Sequence, residues 1–176
     1  MKRYTWCPVC GGAIATRSPD VLVCGSCGFH LWLGSKPAVG AIVQGTIEGE
    51  SRVLLTRRGI EPYKGMWDLP GGFLGNGERP EDGLAREIRE ELGVTIARPR
   101  FLATDIAEYP RDDIAEEARF VLTLFYSCEI PENAALRPAD DVVEAVWFPI
   151  DKLPDQIAFE CNRRVLATLR TRRGSR

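Results

Sequence analysis

The stretch Gly71–Val94, GGFLGNGERPEDGLAREIREELGV, decides how the chain is read. Pro80 suits the first position of a helix, where a missing N–H leaves nothing unpaired, and Glu81 and Asp82 complement the positive end of the helix dipole. Gly93 supplies the stop. Between them Leu84, Ile88 and Leu92 recur every four residues and form an apolar stripe. Glu87, Glu90 and Glu91 therefore project from another face, where offsets of three and four bring Glu87 within reach of both others. Like-charge pairs at this spacing repel by roughly a few tenths of a kcal/mol each. A hard divalent cation such as Mg²⁺ would turn the repulsion into coordination, and Mg²⁺ is also the usual partner of a substrate phosphate. The alternative is a solvated acidic face balanced by Arg86 and Arg89. The loop from Pro70-Gly71-Gly72 to Gly77-Glu78 favours the cation, because its glycines let backbone approach a ligand and leave carbonyls free.

Outward from this segment, Val39–Thr46 and Arg52–Thr56 are apolar, β-rich runs on either side of Glu48-Gly49-Glu50 and predict a hairpin. Phe101–Ala103, Arg119–Cys128 and Val142–Phe148 predict further strands. A second helix is predicted from Phe159 to Arg172, with Val165, Leu166 and Leu169 as its stripe. The pattern is that of an α/β chain, a mixed sheet between helices.

The first 36 residues read differently. Cys7-Pro-Val-Cys10 and Cys24-Gly-Ser-Cys27 are two C-x2-C pairs, thirteen residues apart, each followed by glycine at Gly11 and Gly28. Tight turns of this kind aim two sulfurs apiece at one tetrahedral Zn²⁺. A redox pair would need one such motif, and no βαβ unit precedes it. A boundary follows near residue 36: 1–36 as a zinc ribbon, 37–176 as the main domain. Cys128 and Cys161, in apolar surroundings, read as buried thiols.

Composition sets outer limits. A chain of 176 residues with 44% hydrophobic and 27% charged residues holds one full domain and an appendage. A net charge of -2 argues against a nucleic-acid partner, although Arg163, Arg164, Arg170, Arg172, Arg173 and Arg176 crowd the C-terminal end. Arginines near a helix C-terminus also complement its dipole without any partner. No run approaches the roughly 20 apolar residues of a membrane span. A cytoplasmic location and a homodimer are expected.

Gly72, five residues, Glu78, seven residues, Arg86-Glu87-Ile88, one residue, Glu90-Glu91, one residue, Gly93-Val94 reproduces the Nudix box. Trp67-Asp68-Leu69-Pro70 before it, and Val146-Trp147-Phe148-Pro149 with Leu153-Pro154 after it, resemble the same family. The resemblance implies the Nudix fold behind a small N-terminal zinc ribbon, and 37–176 as a Nudix hydrolase domain. It implies that Glu87, Glu90 and Glu91, with the Gly72 carbonyl, bind Mg²⁺ or Mn²⁺, and that Glu78 and Arg86 form an orienting pair. It implies in-line attack of water on phosphorus in a nucleoside diphosphate linked to another moiety. The general base in the family is a box glutamate or an acid from a late loop, here Asp140 or Asp141, with Glu116 or Glu117 as weaker candidates.

The ribbon resembles a branch that holds NADH pyrophosphatases and enzymes acting on FAD or ADP-ribose. The Ser-Gln-Pro-Trp-Pro-Phe-Pro run of NADH pyrophosphatases is replaced here by Arg100–Pro110. Tyr109-Pro110 juxtaposes the tyrosine of many diadenosine polyphosphate hydrolases with the proline of many ADP-ribose hydrolases. Ile60–Trp67 with Ile157-Ala158-Phe159 looks most like the FAD and ADP-ribose type. Trp67, Tyr63 and Phe159 are candidates to stack a base, or are core; Lys64, Arg57 and Arg58 are candidates to meet phosphates, or are simply exposed. NADH and dinucleoside polyphosphates are the alternative substrates. A nucleic-acid-binding or regulatory protein on a Nudix-like domain is the alternative of another class, and the intact box speaks against it.

Overall fold

The computed structural model describes residues 4–18, 20–110, 120–131 and 133–171, without the side chains of 170 and 171. Glu116, Glu117, Arg172, Arg173 and Arg176, together with the side chain of Arg170, lie outside the described residues. The chain divides into two compact units, residues 1–36 with 108–120, and residues 37–107 with 121–176.

In the first unit, strands β1 (Ile14–Arg17), β2 (Val21–Cys24) and β3 (His30–Trp32) form an antiparallel three-stranded sheet in the order β1-β2-β3. Cys7, Ile14, Leu22 and Cys24 are its buried centre, with Phe29, Leu31 and Leu33 packed against them. So few apolar side chains make a poor core, which is the setting in which small domains recruit a metal.

The second unit carries β4 (Lys36–Ile47), β5 (Glu50–Arg58), β6 (Trp67–Asp68), β7 (Gly71–Phe73), helix α1 (Pro80–Leu92), β8 (Ala97–Glu108), β9 (Phe120–Glu129), β10 (Val142–Pro149) and helix α2 (Glu160–Thr171). The main sheet runs β10-β5-β4-β9-β8, with β6 paired to β5 and β7 to β4. Ile47 pairs with Glu50, leaving Glu48 (φ 53°) and Gly49 (φ 77°) as a two-residue turn whose left-handed backbone matches the twist of the strands.

Alternate residues of a strand point to opposite faces, and here both faces are covered. Val39, Ala41 and Val43 of β4, Leu54 of β5, and Tyr126 and Cys128 of β9 pack with Leu84, Ile88 and Leu92 of α1. Ile42, Val53, Leu55 and Phe125 point the other way and pack with Cys161, Val165, Leu166 and Leu169 of α2. Burial on both faces is why β4 and β5 read as continuous apolar runs rather than as alternating ones. The expected α/β arrangement, a mixed sheet between two helices, is the one observed. Cys128 and Cys161 are buried, as expected, and burial pushes the Cys128 thiol up to about 12. Among the described residues no helix is long and apolar enough to cross a membrane.

Candidate functional site

The centre is built by α1 lying against the β6–β7 turn. Pro80 opens the helix, and Gly93, with φ 69°, closes it by donating its N–H to the Arg89 carbonyl. The apolar stripe docks as expected: Leu84, Ile88 and Leu92 are fully buried. The three glutamates then fall into different environments. Glu90 is exposed, Glu87 half-buried and Glu91 buried at 6% exposure.

Glu91 is held by the turn: its Oε2 accepts the Gly71 N–H at 2.9 Å. Burial raises its carboxyl well above the usual range, the Gly71 N–H opposes the rise, and the charges of Glu87, Asp68 and Asp141 add to it. Glu87 is also raised, first by burial, with Arg86 opposing and Glu90 and Glu78 adding. Its carboxylate lies directly against Gly72: a β-carbon there would meet Glu87 Cδ and Oε1 at 2.6 Å and Oε2 at 2.7 Å. A bare backbone facing a carboxylate, beside a second carboxylate buried at the cost of desolvation, is an oxygen-only donor set that fits a hard divalent cation.

Arg86 ties the remaining acids together. Its Nε and Nη2 donate to Glu78 Oε1 and Oε2 at 2.8 and 2.9 Å, Nη2 also to the Phe73 carbonyl at 3.1 Å, and Nη1 to Glu87 Oε1 and Glu90 Oε2 at 2.9 Å each. With Arg86 and the Gly75 N–H both donating to it, Glu78 is held down at about 2. Arg86 is thus engaged with all three acids, whereas Arg89 is exposed in the last turn of α1.

Asp141 arrives from the far end of the fold. Arg137 and Ala139 donate their N–H groups to the Leu92 and Glu91 carbonyls at 2.9 Å each, satisfying the otherwise unpaired carbonyl end of α1. Val142 N–H then returns to the Ala139 carbonyl at 3.0 Å, turning the chain through Asp140 (φ 54°), and Gly59 N–H donates to the Asp141 carbonyl at 2.7 Å. Asp141 is half-buried, and burial with Asp140 beside it raises its carboxyl while Arg58 opposes the rise.

The candidates for substrate contact are spread along the β5–β6 connection. Trp67 lies edge-on to Phe148 at 4.8 Å, with the Arg57 guanidinium 5.9 Å above its ring. Arg57 itself donates to the Gly65 carbonyl at 2.9 Å and pairs with Glu144 at 3.4 Å. Phe159 meets Tyr63 edge-on at 5.2 Å, under the guanidinium of Arg58 at 5.0 Å. Trp67 and Phe159 also pack against the α2 side of the core, while Lys64 is exposed.

A polar cluster that sequence reasoning missed lies behind them. Asp68, 7% exposed, accepts from Arg58 Nη1 at 3.0 Å, from the Leu69 N–H at 2.9 Å and, in a short bond, from Asn162 Nδ2. Burial lifts its carboxyl to about 6 against the pull of Arg58. A signal was present: Asn162 stands where Val165, Leu166 and Leu169 place the apolar stripe of α2, and a polar residue there needs a partner.

In the ribbon, the ligand atoms of Cys7, Cys10, Cys24 and Cys27 lie within 4.8 Å of one another, the one such group of three or more His, Cys, Asp or Glu among the described residues. Cys7–Cys27 and Cys10–Cys24 sulfur distances are 3.7 and 3.6 Å. Four thiolates at about 2.3 Å around a tetrahedral zinc stand about 3.8 Å apart, so the group fits that ion with little movement. Gly11 (φ 70°) and Gly28 (φ 71°) close the two knuckles in the left-handed region, donating to the Cys7 and Cys24 carbonyls. The Cys27 and Ser26 N–H groups pull the Cys24 thiol down to about 6.

Comparison with known proteins shows the family. The model of the NUDIX domain family matches residues 34–169. An ADP-ribose pyrophosphatase of Methanocaldococcus jannaschii is 32% identical over 146 residues, 83% of this chain and 80% of that protein. The NAD-capped RNA hydrolase NudC of Stutzerimonas stutzeri is 25% identical over 155 residues, 88% of this chain but 51% of its own length, so the chain spans about half of that relative. A crystal structure of a NUDIX hydrolase from Nitrosomonas europaea superimposes with a TM-score of 0.71 at 25% identity, covering 98% of this chain and 94% of the other. With the box folded onto α1 and the β6–β7 turn, and the family match running over most of its length, the chain belongs to the NUDIX domain family.

Proposed function

We propose that this Nudix hydrolase cleaves the diphosphate bond of ADP-ribose or a closely related nucleoside diphosphate conjugate such as FAD, releasing a nucleoside monophosphate. The observation that carries the reading is Glu91: a carboxylate kept at 6% exposure, fixed by the Gly71 N–H and set beside Glu87 on the bare backbone of Gly72. Similarity to the archaeal ADP-ribose pyrophosphatase supports the substrate class.

Glu87, Glu90 and Glu91, with the Gly72 carbonyl, would hold Mg²⁺ or Mn²⁺. A bound divalent ion supplies Lewis-acid stabilisation of the charge that builds on the phosphoryl oxygens. The chain's own part is positional. Arg86 keeps Glu87 and Glu90 aimed by hydrogen bonds, and Glu78 fixes Arg86 through two parallel bonds. Asp141, on a turn fastened to the Glu91 carbonyl by Ala139, is the acid we assign to accept the proton of the attacking water; its raised affinity for a proton suits that task. Trp67 and Phe159 would contact the base, Arg57 and Lys64 the phosphates. We read residues 1–36 as a zinc ribbon with a structural ion and 37–176 as the catalytic domain, in a cytoplasmic homodimer.

The test is mass-spectrometric product analysis after incubation with Mg²⁺ and ADP-ribose, FAD, NADH or diadenosine polyphosphates, for wild type and Glu91→Gln. AMP from ADP-ribose or FAD, lost by orders of magnitude in the variant, is the expected result. Preferential cleavage of NADH or a diadenosine polyphosphate would replace the substrate reading, and no cleavage of any compound would overturn the whole.

A further inference from the structure

Two guanidinium groups serve the acids of this site, and the box accounts for only one. Arg86 bonds Glu78, Glu87 and Glu90. Of the remaining acids, Glu91 is held by the Gly71 N–H, Asp68 pairs with Arg58, which closes β5, and Asp141 lies near enough to Arg58 to feel its charge. Arg58 does not reach outward toward solvent phosphates. Its side chain is 15% exposed, Nε donates to the Pro62 carbonyl at 2.7 Å, Nη1 to Asp68 Oδ2 at 3.0 Å, and the guanidinium plane lies over Phe159.

Each of these bonds holds a piece of backbone that leads to the site. Asp68 begins the run Asp68-Leu69-Pro70-Gly71-Gly72, whose Pro70 carbonyl accepts the Ala41 N–H at 2.8 Å and whose Gly71 N–H holds Glu91. The backbone of Arg58 pairs with Gly65 and Met66, and Val142 stands opposite it across the β5–β10 ladder. The next residue, Gly59, grips the Asp141 carbonyl. One side chain therefore stands at the junction of three segments: the 59–66 connection, the turn that fixes Glu91, and the entry to β10 that carries Asp141.

We propose that Arg58 is a positioning residue of the hydrolytic site, acting through Asp68 on the Asp68–Gly72 run and, through the end of β5, on Asp141. The inference rests on the function proposed above. A residue of this kind touches neither substrate nor ion, so its loss misplaces the groups that do. Misplacement by about 1 Å is enough to lower a rate about a hundredfold.

The experiment compares wild type, Arg58→Met, Arg58→Lys, Asp68→Asn and the Arg58→Met/Asp68→Asn double variant. Each is assayed for ADP-ribose hydrolysis, for Mn²⁺ affinity by calorimetric titration, and for thermal midpoint. The expected result is a kcat lower by about 10- to 100-fold in Arg58→Met with KM within about threefold, and a Mn²⁺ affinity weaker by about tenfold. Arg58→Lys, which keeps the charge but not the fork, recovers part of the loss. The double variant is no worse than the poorer single one, because both act along one path. A rise in KM with kcat intact would make Arg58 a substrate contact and overturn the proposal. So would losses that multiply in the double variant, or a lowered thermal midpoint with kcat and Mn²⁺ affinity unchanged. If wild type fails on ADP-ribose, the substrate reading falls by itself, and the Mn²⁺ titrations still decide the role of Arg58.

Discussion

Replacing Gly72 by alanine adds one methyl group directly against the Glu87 carboxylate. The new carbon would lie 2.6 Å from Glu87 Cδ, against the roughly 3.5 to 4.0 Å of a relaxed contact, so carboxylate and backbone must part by about 1 Å. Glu87 has no slack for this, because Arg86 Nη1 already holds it at 2.9 Å and is itself committed to Glu90 and Glu78. Displacing it either breaks that bond or drags Arg86 along. Crowding of this kind costs about 1 to 3 kcal/mol of stability, which in a chain of this size lowers the melting temperature by about 2 to 4 °C per kcal/mol. The functional loss is larger in proportion, since a shift of about 1 Å in a catalytic group costs about a hundredfold in rate. Gly75→Ala is the matched control: its β-carbon comes no closer than 3.4 Å to Glu78 Oε2, an ordinary contact. Steady-state kinetics across a Mg²⁺ titration, with thermal denaturation on the same samples, should show Gly72→Ala about a hundredfold down and Gly75→Ala within about twofold of wild type. Equal kcat and equal Mg²⁺ dependence in the two variants would refute the placement of Glu87 against Gly72 as part of the site.

Without added Mg²⁺, Glu91 binds its proton more tightly in the folded than in the unfolded chain, so the stability it contributes is complete below its ordinary pKa of 4.5 and is lost as pH rises through the raised value. Glu91→Gln should flatten that part of the stability profile in pH-dependent denaturation and abolish the stabilisation by Mg²⁺ at neutral pH. Glu78 works in the opposite window: held down at about 2, it contributes above pH 4.5 and is lost as pH falls toward 2, so Arg86→Met should lower stability at neutral pH and flatten its fall between pH 4.5 and 2. The purified protein should carry one zinc per chain by elemental analysis, and Cys24→Ser should lose the metal and melt the ribbon while leaving the far-ultraviolet signature of the second unit in place.

Much of the site was legible because its parts lie close in sequence. The every-fourth-residue stripe of Leu84, Ile88 and Leu92 gave α1, and the pair spacing of Cys7, Cys10, Cys24 and Cys27 gave the cluster of sulfurs. What escaped is set by contacts between distant residues. Periodicity puts Glu87, Glu90 and Glu91 on one side of a helix, but only the β6–β7 turn decides that Glu91 is buried and Glu90 is not. β8 runs over Ala97–Glu108, far beyond the expected Phe101–Ala103, because it closes one edge of the sheet, where hydrogen bonding on a single side tolerates Arg98, Pro99 and Arg100. β6 and β7, two and three residues long, are too short to carry a period at all. The three ribbon strands were missed for the same reason.

Arg86 also sets how the acidic cluster on α1 differs from the four sulfurs of the ribbon in its relation to folding. It brings a fixed positive charge to Glu78, Glu87 and Glu90, so the acidic cluster carries its own counter-ion and can assemble before any cation arrives. The sulfurs of the ribbon are bonded by one another and by backbone N–H groups, and thiolates held that close need an outside charge to stay together. Under the function proposed above, stripping divalent ions would thus silence the acidic cluster reversibly, as a tool is set down and picked up again, while at the four sulfurs it would remove a piece of the scaffold.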